Sequence, residues 1–371
     1  MEVVVWTSSP THHQSGFFDA IRAAGVTLRV VYCEGVSPKR IALGWKEYHS
    51  LPAGETYVKN ASAPLEDVAN WRTALHVVTG YSTSIFRTVA RTLARTSTEW
   101  VHWSEPAQPG LRWFVSYPVK WWYAQLVNCS ALGAFAIGEM ARQDFVRWGI
   151  EPSKIAELYY VLETRCDDAD ADIDTKCRDF LNDASARFIV VGSLCRRKAT
   201  DVILKAFAQL VSRFPSAKLI LVGNDLGSGQ YQELARRLAI ANNVLFRGVV
   251  PAENLASVIK ACSVLILASR FDGWGVPLNE GATHGLALIG STRTGSAFHL
   301  VHPGVNGFRV RAGSVSSLVP VLNAYASTPE LVLQHGAASV GLSKGYSPEA
   351  NVQRFLRSIQ SWRAMRRLRR R

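Results

Sequence analysis

Two carboxylates, Asp272 and Glu280, are separated by seven residues in the run Asp-Gly-Trp-Gly-Val-Pro-Leu-Asn-Glu. Paired acids that face one polar pocket can each accept hydrogen bonds from neighbouring hydroxyls of a sugar or a ribose. Gly273 and Gly275 on either side of Trp274 let backbone come close to such a ligand. A second group sits about seventy positions earlier, where Gly192 is followed by Arg196, Arg197 and Lys198 just ahead of a helical pattern with Asp201 near its start. A glycine, three cations and a helix amino terminus suit a diphosphate. In the amino-terminal half the residues able to handle protons are His12 and His13, which follow the first apolar run, and His102 with Glu105, which close a later one.

The elements that must position these groups are legible from apolar runs and their punctuation. Residues 264–267 and 287–291 are short, unbroken apolar runs, and the stretch between them has helix length, with Pro277 suited to a first helical position and Gly285 to a helix end. That is a strand-helix-strand unit of a parallel sheet, buried on both faces. It puts Asp272 in a loop at the carboxyl edge of the sheet and Glu280 one turn into the helix. Open α/β sheets bind ligands at that edge. Further strands are expected at residues 187–191, 218–222 and 244–246, the last followed by Gly248, with helices between them. Residues 2–6, 28–32, 75–79, 100–103, 134–138 and 155–161 repeat the pattern in the first half. The expected class is therefore α/β, with two Rossmann-like doubly wound domains. The expected boundaries are 1–165 and 185–345, joined by a solvated acidic linker at 166–184 and followed by a helix and basic tail at 346–371.

Composition narrows the function. With 371 residues and 48% hydrophobic content the chain has enough apolar material for two cores. It carries neither a signal-peptide pattern nor a run of about 18 apolar residues, so no spanning helix is expected. Six scattered cysteines make no Cys-x-x-Cys pair, which argues against zinc and for a reducing, cytoplasmic setting. The aspartates between 167 and 183 lack the glycine of a calcium loop, where Ile173 stands, so no metal is expected. No glycine-rich dinucleotide fingerprint is present, against a dehydrogenase. A net charge of +13 calls for phosphate-bearing partners.

Taken together, the motifs of the second half resemble the carboxyl-terminal domain of family 4 retaining glycosyltransferases, enzymes with two Rossmann-like domains facing each other across a cleft (the GT-B fold). The resemblance runs from about residue 187 to 310 and rests on the 188–207 strand, loop and helix, the 219–225 and 244–249 strands, the Asp272 to Glu280 pair, and the closing 305–310 strand. It implies that Lys198 clasps a donor diphosphate, Glu280 holds ribose hydroxyls, residues 273–275 present N–H groups to sugar and phosphate, and Gly248 lies near the base. It also implies retention of anomeric configuration. This sequence departs from the family pattern at Asp272, where Glu is usual, at Ser193, where an Arg often stands, and at Ala199, where Gly is usual. Arg196 or Arg197 then takes the missing cation's place, and Asp272, Lys198, Arg196, His102 and Glu105 are the catalytic candidates. Gly192, Arg197, Gly248, Gly273, Trp274, Gly275 and Glu280 are the donor-binding ones, and His12 and His13 the acceptor-side ones.

The implied activity is transfer of a sugar from a nucleotide-sugar to a glycan or lipid-linked acceptor, in polysaccharide or glycolipid synthesis. A phosphorylase or epimerase on the same architecture would use many of the same groups, and a nucleic-acid binder would explain the charge and the tryptophans but not the site. Two basic-aromatic stretches remain. One runs from Arg112 to Trp122, and the other is the end from Trp362 to Arg371. The first suits a membrane interface, a stacked sugar, single-stranded nucleic acid or an aromatic core face of a helix. The second suits a solvated tail, non-specific nucleic-acid binding or an anionic bilayer, with Trp362 at headgroup level and the tail as a peripheral anchor on the inner face of the membrane.

Overall fold

Short apolar runs place most of the strands, which form two separate parallel sheets. The protein is described by a computed structural model over residues 1–41, 50–161 and 175–368. These residues fall into two units. The first runs from Met1 and takes back the chain from Ser347 onward, and the second is built from residues 175–346 with the short helix Pro38–Ile41.

The first unit's strands are β1 (Glu2–Thr7), β2 (Thr27–Tyr32), β3 (Glu55–Tyr57), β4 (Leu75–Val78), β5 (Trp100–Ser104), β6 (Gly133–Ala136) and β7 (Ile155–Glu157). They pair in the order β3-β2-β1-β4-β5-β6-β7, every neighbour parallel. The second unit holds β8 (Arg187–Val191), β9 (Lys218–Val222), β10 (Val244–Gly248), β11 (Val264–Leu267), β12 (Ala287–Ser291) and β13 (Gly307–Val310), in the order β10-β9-β8-β11-β12-β13. Both are doubly wound, so each has one point where the order reverses: between β1 and β4, and between β8 and β11. Apolar side chains on both faces of each sheet meet covering helices, which is why β4, β6 and β11 are buried at every position.

Two expectations about the connections change. The acidic stretch does not stay a solvated linker along its length: Thr175–Leu181 is a helix whose Cys177 and Leu181 are buried against the second unit's core. Those two apolar residues at i and i+4 outweigh the surrounding charges. Residues 162–174 of that stretch lie outside the described residues. The carboxyl-terminal helix Pro348–Leu368 belongs to the first unit, and Trp362, expected at a membrane surface, is 4% exposed. Its ring lies over Gly133, where an added Cβ would come within 2.4 Å of it, and 4.9 Å from the Phe135 ring. Residues 369–371 of the basic tail lie outside the described residues.

Candidate functional site

The second unit gathers its candidate residues at the carboxyl ends of β8 and β11, where the strand order reverses. The first wall is made of strand exits. Gly192 donates its N–H to Val222 O at 2.9 Å, and Gly223 donates to Gly248 O at 2.9 Å, so Gly192, Gly223 and Gly248 follow one another along the edges of β8, β9 and β10. Backbones approach so closely there that a Cβ on Gly223 would stand 2.2 Å from Gly192 O. Gly223 was not among the candidates, although its place after an apolar run made it readable.

Two loops form the centre. Lys198 Nζ donates to Asp272 Oδ2, and the two side chains are only 12% and 13% exposed. Arg197 Nη1 lies 3.9 Å from Asp272 Oδ1 and donates to Phe271 O at 3.2 Å, while Arg196 is exposed. The loops are stitched together by Arg270, which sequence reasoning passed over. Its guanidinium donates to both carboxylate oxygens of Asp201 at 2.7 and 2.8 Å and to Arg196 O at 2.7 Å, and its N–H donates to Arg197 O at 2.8 Å. The Asp201 carboxyl is held below its ordinary range, first by the hydrogen bond from Arg270. Ala199, which stands where the resemblance has glycine, takes the left-handed conformation at φ 60° that this turn into the helix Thr200–Val211 requires.

The acid loop leans on a segment that was also missed, residues 292–296 after β12. Asp272 N donates to Arg293 O at 2.9 Å, Gly295 N to Asp272 O at 3.1 Å, and Ser296 N to Trp274 O at 2.7 Å. The signal was the polar run Ser-Thr-Arg-Thr-Gly-Ser between strand and helix. Gly275 sits at φ 92°, with space for no Cβ between Leu267 and Thr294. Trp274 corrects an expectation: its side chain is 1% exposed and its Nε1 donates to Asn279 Oδ1 at 2.9 Å, so the indole is a core anchor under the loop and does not face a ligand. Among the described residues, no acceptor takes the N–H of Gly273 or Gly275. Glu280, in the helix Pro277–Thr283, keeps partial exposure. Burial pushes its carboxyl up to about 7, and the nearby Lys198 opposes the rise.

His12, His13, His102 and Glu105 belong to the first unit. His12 opens the helix His12–Ala23, and the capping Thr11 hydroxyl accepts from His13 N at 3.0 Å. The His13 ring is half-buried, 6.5 Å from the Tyr160 ring. His102 is not at an open edge as expected. It is fully buried, with Nδ1 bonded to Tyr123 Oη at 3.2 Å, Nε2 to Ser104 Oγ at 2.9 Å, and Phe145 and Trp148 rings around it. Desolvation drives its imidazole down to about 3, so it stays neutral. The cause is that β5 is covered on both faces, leaving only positions past its end open. Glu105, past that end, is exposed.

Comparison with known proteins agrees with this geometry. Residues 175–338 match the family of glycosyl transferases group 1. A D-inositol 3-phosphate glycosyltransferase of Streptomyces griseus is 32% identical over 167 residues, covering 43% of this chain and 35% of that protein. The matched part of the chain thus spans about a third of that relative and half or less of the others of the same name. The structure of Anabaena HepE in complex with UDP superposes with a TM-score of 0.77 over 97% of this chain and all of that one, at 18% identity. A glycosyltransferase from Rickettsia africae does so with 0.69 over 97% and 98%, at 14% identity. Residues 175–338 thus carry the match to the glycosyl transferases group 1 family, and the chain's two parallel-sheet units have the GT-B fold.

Proposed function

We propose that this protein moves a sugar from a nucleotide-sugar donor to a glycan or lipid-linked acceptor, with retention of configuration. The observation that carries the reading is the cluster at the β8/β11 switch point, where Lys198 and Arg197 meet Asp272 and Glu280 lies near Lys198. Breaking a sugar-phosphate bond leaves positive charge on the ring and negative charge on the departing diphosphate. Cations fixed beside the diphosphate are worth more in that transition state than in the ground state. Arg270 holds the backbone of the cation loop in place before any ligand arrives, so that only the Lys198 side chain has to shift toward the diphosphate. The Gly273 and Gly275 N–H groups add donors for sugar or phosphate oxygens, and Glu280 accepts from ribose hydroxyls. Neutralisation by side chains makes the proposed reaction independent of a divalent ion. HepE holds UDP in its solved complex, and a panel of donors identifies the base taken here. Thermal melts against UDP-, GDP-, ADP- and dTDP-linked sugars test the reading. A ligand at a hundred times its Kd adds about 2.7 kcal/mol of stability. If none of the panel raises the melting temperature, the donor assignment fails.

A further inference from the structure

The first unit presents a feature that the donor site at the β8/β11 switch point does not use. The helices Leu111–Val115 and Tyr117–Ser130 turn large apolar side chains to solvent: Leu111 is 80% exposed, Phe114 69%, Val115 74% and Trp121 51%, with Val119 and Trp122 also open. A set of apolar residues this large on one short stretch is uncommon on a free surface.

It is not a loosely attached segment. Trp113, on the opposite side of the short helix, donates Nε1 to the buried Asp144 carboxylate at 2.8 Å, whose other oxygen accepts Ala107 N at 2.8 Å. Lys120, only 2% exposed, donates to Trp113 O at 3.3 Å and lies over the Trp113 ring at 4.5 Å and the Trp148 ring at 5.8 Å. A buried polar lock therefore holds the helix with Leu111, Phe114 and Val115 outward.

Charge identifies what the face fits. Residues 106–130 and the helix Ser84–Arg95 contain no Asp or Glu. Arg87, Arg91 and Arg95 recur along that helix, and the exposed Arg91 stacks its guanidinium on Trp122 at 4.6 Å. An apolar face with tryptophans at its margin and a cationic rim matches the boundary between acyl chains and anionic headgroups. The geometry points to this face, and not the carboxyl-terminal tail, as the docking surface for an anionic lipid bilayer. Trp362 is committed to the core, and Arg363 is paired with Glu99 at 2.6 Å. The inference stands independently of the donor site.

The test is co-sedimentation of the full chain with vesicles of equal parts phosphatidylcholine and phosphatidylglycerol, against pure phosphatidylcholine, at physiological salt. The mixed vesicles should bind it and the neutral ones should not. Phe114→Ser with Val115→Ser, and separately Arg91→Gln, should each weaken binding by roughly tenfold. Leu333→Ser, an equally exposed leucine (74%) of the second unit, and Arg366→Ser with Arg367→Ser should leave it unchanged. Leu111→Ser serves if the double variant melts early. The proposal is overturned if the protein ignores anionic vesicles, if the face variants bind like wild type, or if only the tail variant loses binding. It is equally overturned if sedimentation velocity finds a dimer that the face variants dissolve, which would give the face to a second copy.

Discussion

Lys198 and Asp272 hold one another in the unliganded site, so a diphosphate has to draw the ammonium away from a carboxylate. Lys198→Ala should lower turnover by roughly 10² to 10³, since it removes a cation aligned with developing charge. Asp272→Asn should separate two quantities: nucleotide diphosphate binds several-fold more tightly, by roughly the competition removed, while turnover falls. Calorimetry with the nucleotide and steady-state kinetics on the same preparations read both, and tighter binding with unchanged turnover would take Asp272 out of the chemistry. Glu280 sets a pH dependence. Its carboxyl titrates at about 7 in the folded chain against an ordinary 4.5, so the folded state holds an extra proton between those values and loses stability as pH rises through that window. Glu280→Gln should therefore be as stable as wild type near the acid end and more stable above neutrality, on the order of 1 to 3 kcal/mol. Nucleotide affinity should rise with pH in the wild type, because only the carboxylate accepts from both ribose hydroxyls, and stay flat in Glu280→Gln. A parallel rise in both proteins would remove Glu280 from ribose binding.

Among the elements, two attachments decide where functional groups stand. The helix Pro348–Leu368 is fixed to the first unit by Asn351, which accepts from Tyr159 N at 3.2 Å and donates to Tyr159 O at 2.8 Å in a fully buried setting. Asn351→Ala strands both backbone groups and should cost about 2 to 4 kcal/mol in the first unit. Urea unfolding followed by tryptophan emission measures it. A cost below the error of extrapolation would mean that the Phe355 and Trp362 contacts alone hold the helix. The cation loop depends on Arg270 and Asp201, each about a third exposed, so the pair itself contributes only modestly to stability. Its effect is on position. Asp201→Asn should raise the donor KM several-fold more than it lowers kcat, roughly the signature of a displaced binding loop.

At the scale of the molecule, two separate cores imply unfolding that is not one transition. A nucleotide sugar should raise only the transition of the second unit, which holds the β8/β11 site, and leave the first where it was. Calorimetric scans with and without ligand distinguish the two, and a shift confined to the first unit would misplace the donor. Activity should persist in EDTA, because fixed cations supply the neutralisation. Loss in EDTA with recovery only on adding a divalent ion would reverse that expectation. Among the described residues no helix is long and apolar enough to cross a membrane.

The sequence by itself determined the alternation of strand and helix, because apolar runs of strand length and their glycine and proline ends are local signals. It also located the Asp272 to Glu280 pair and the Gly192 to Lys198 loop at strand exits, since both follow directly from where β8 and β11 stop. Pairings across long separations were decided only by the tertiary structure. Lys198 and Asp272 are 74 residues apart, Asp201 and Arg270 are 69 apart, and Tyr159 and Asn351 are 192 apart, and no periodicity links such positions. Direction was equally hidden. Trp274 and His102 read as ligand-facing because they stand in or beside cleft motifs, yet packing turned both inward, where Asn279 and Tyr123 satisfy their polar atoms. Trp362 and Phe114 show the same limit: both are aromatic residues beside arginines, and one covers Gly133 while the other faces solvent. Composition gives a side chain's affinity for an apolar surface, and the fold alone supplies that surface from within or leaves it to a partner.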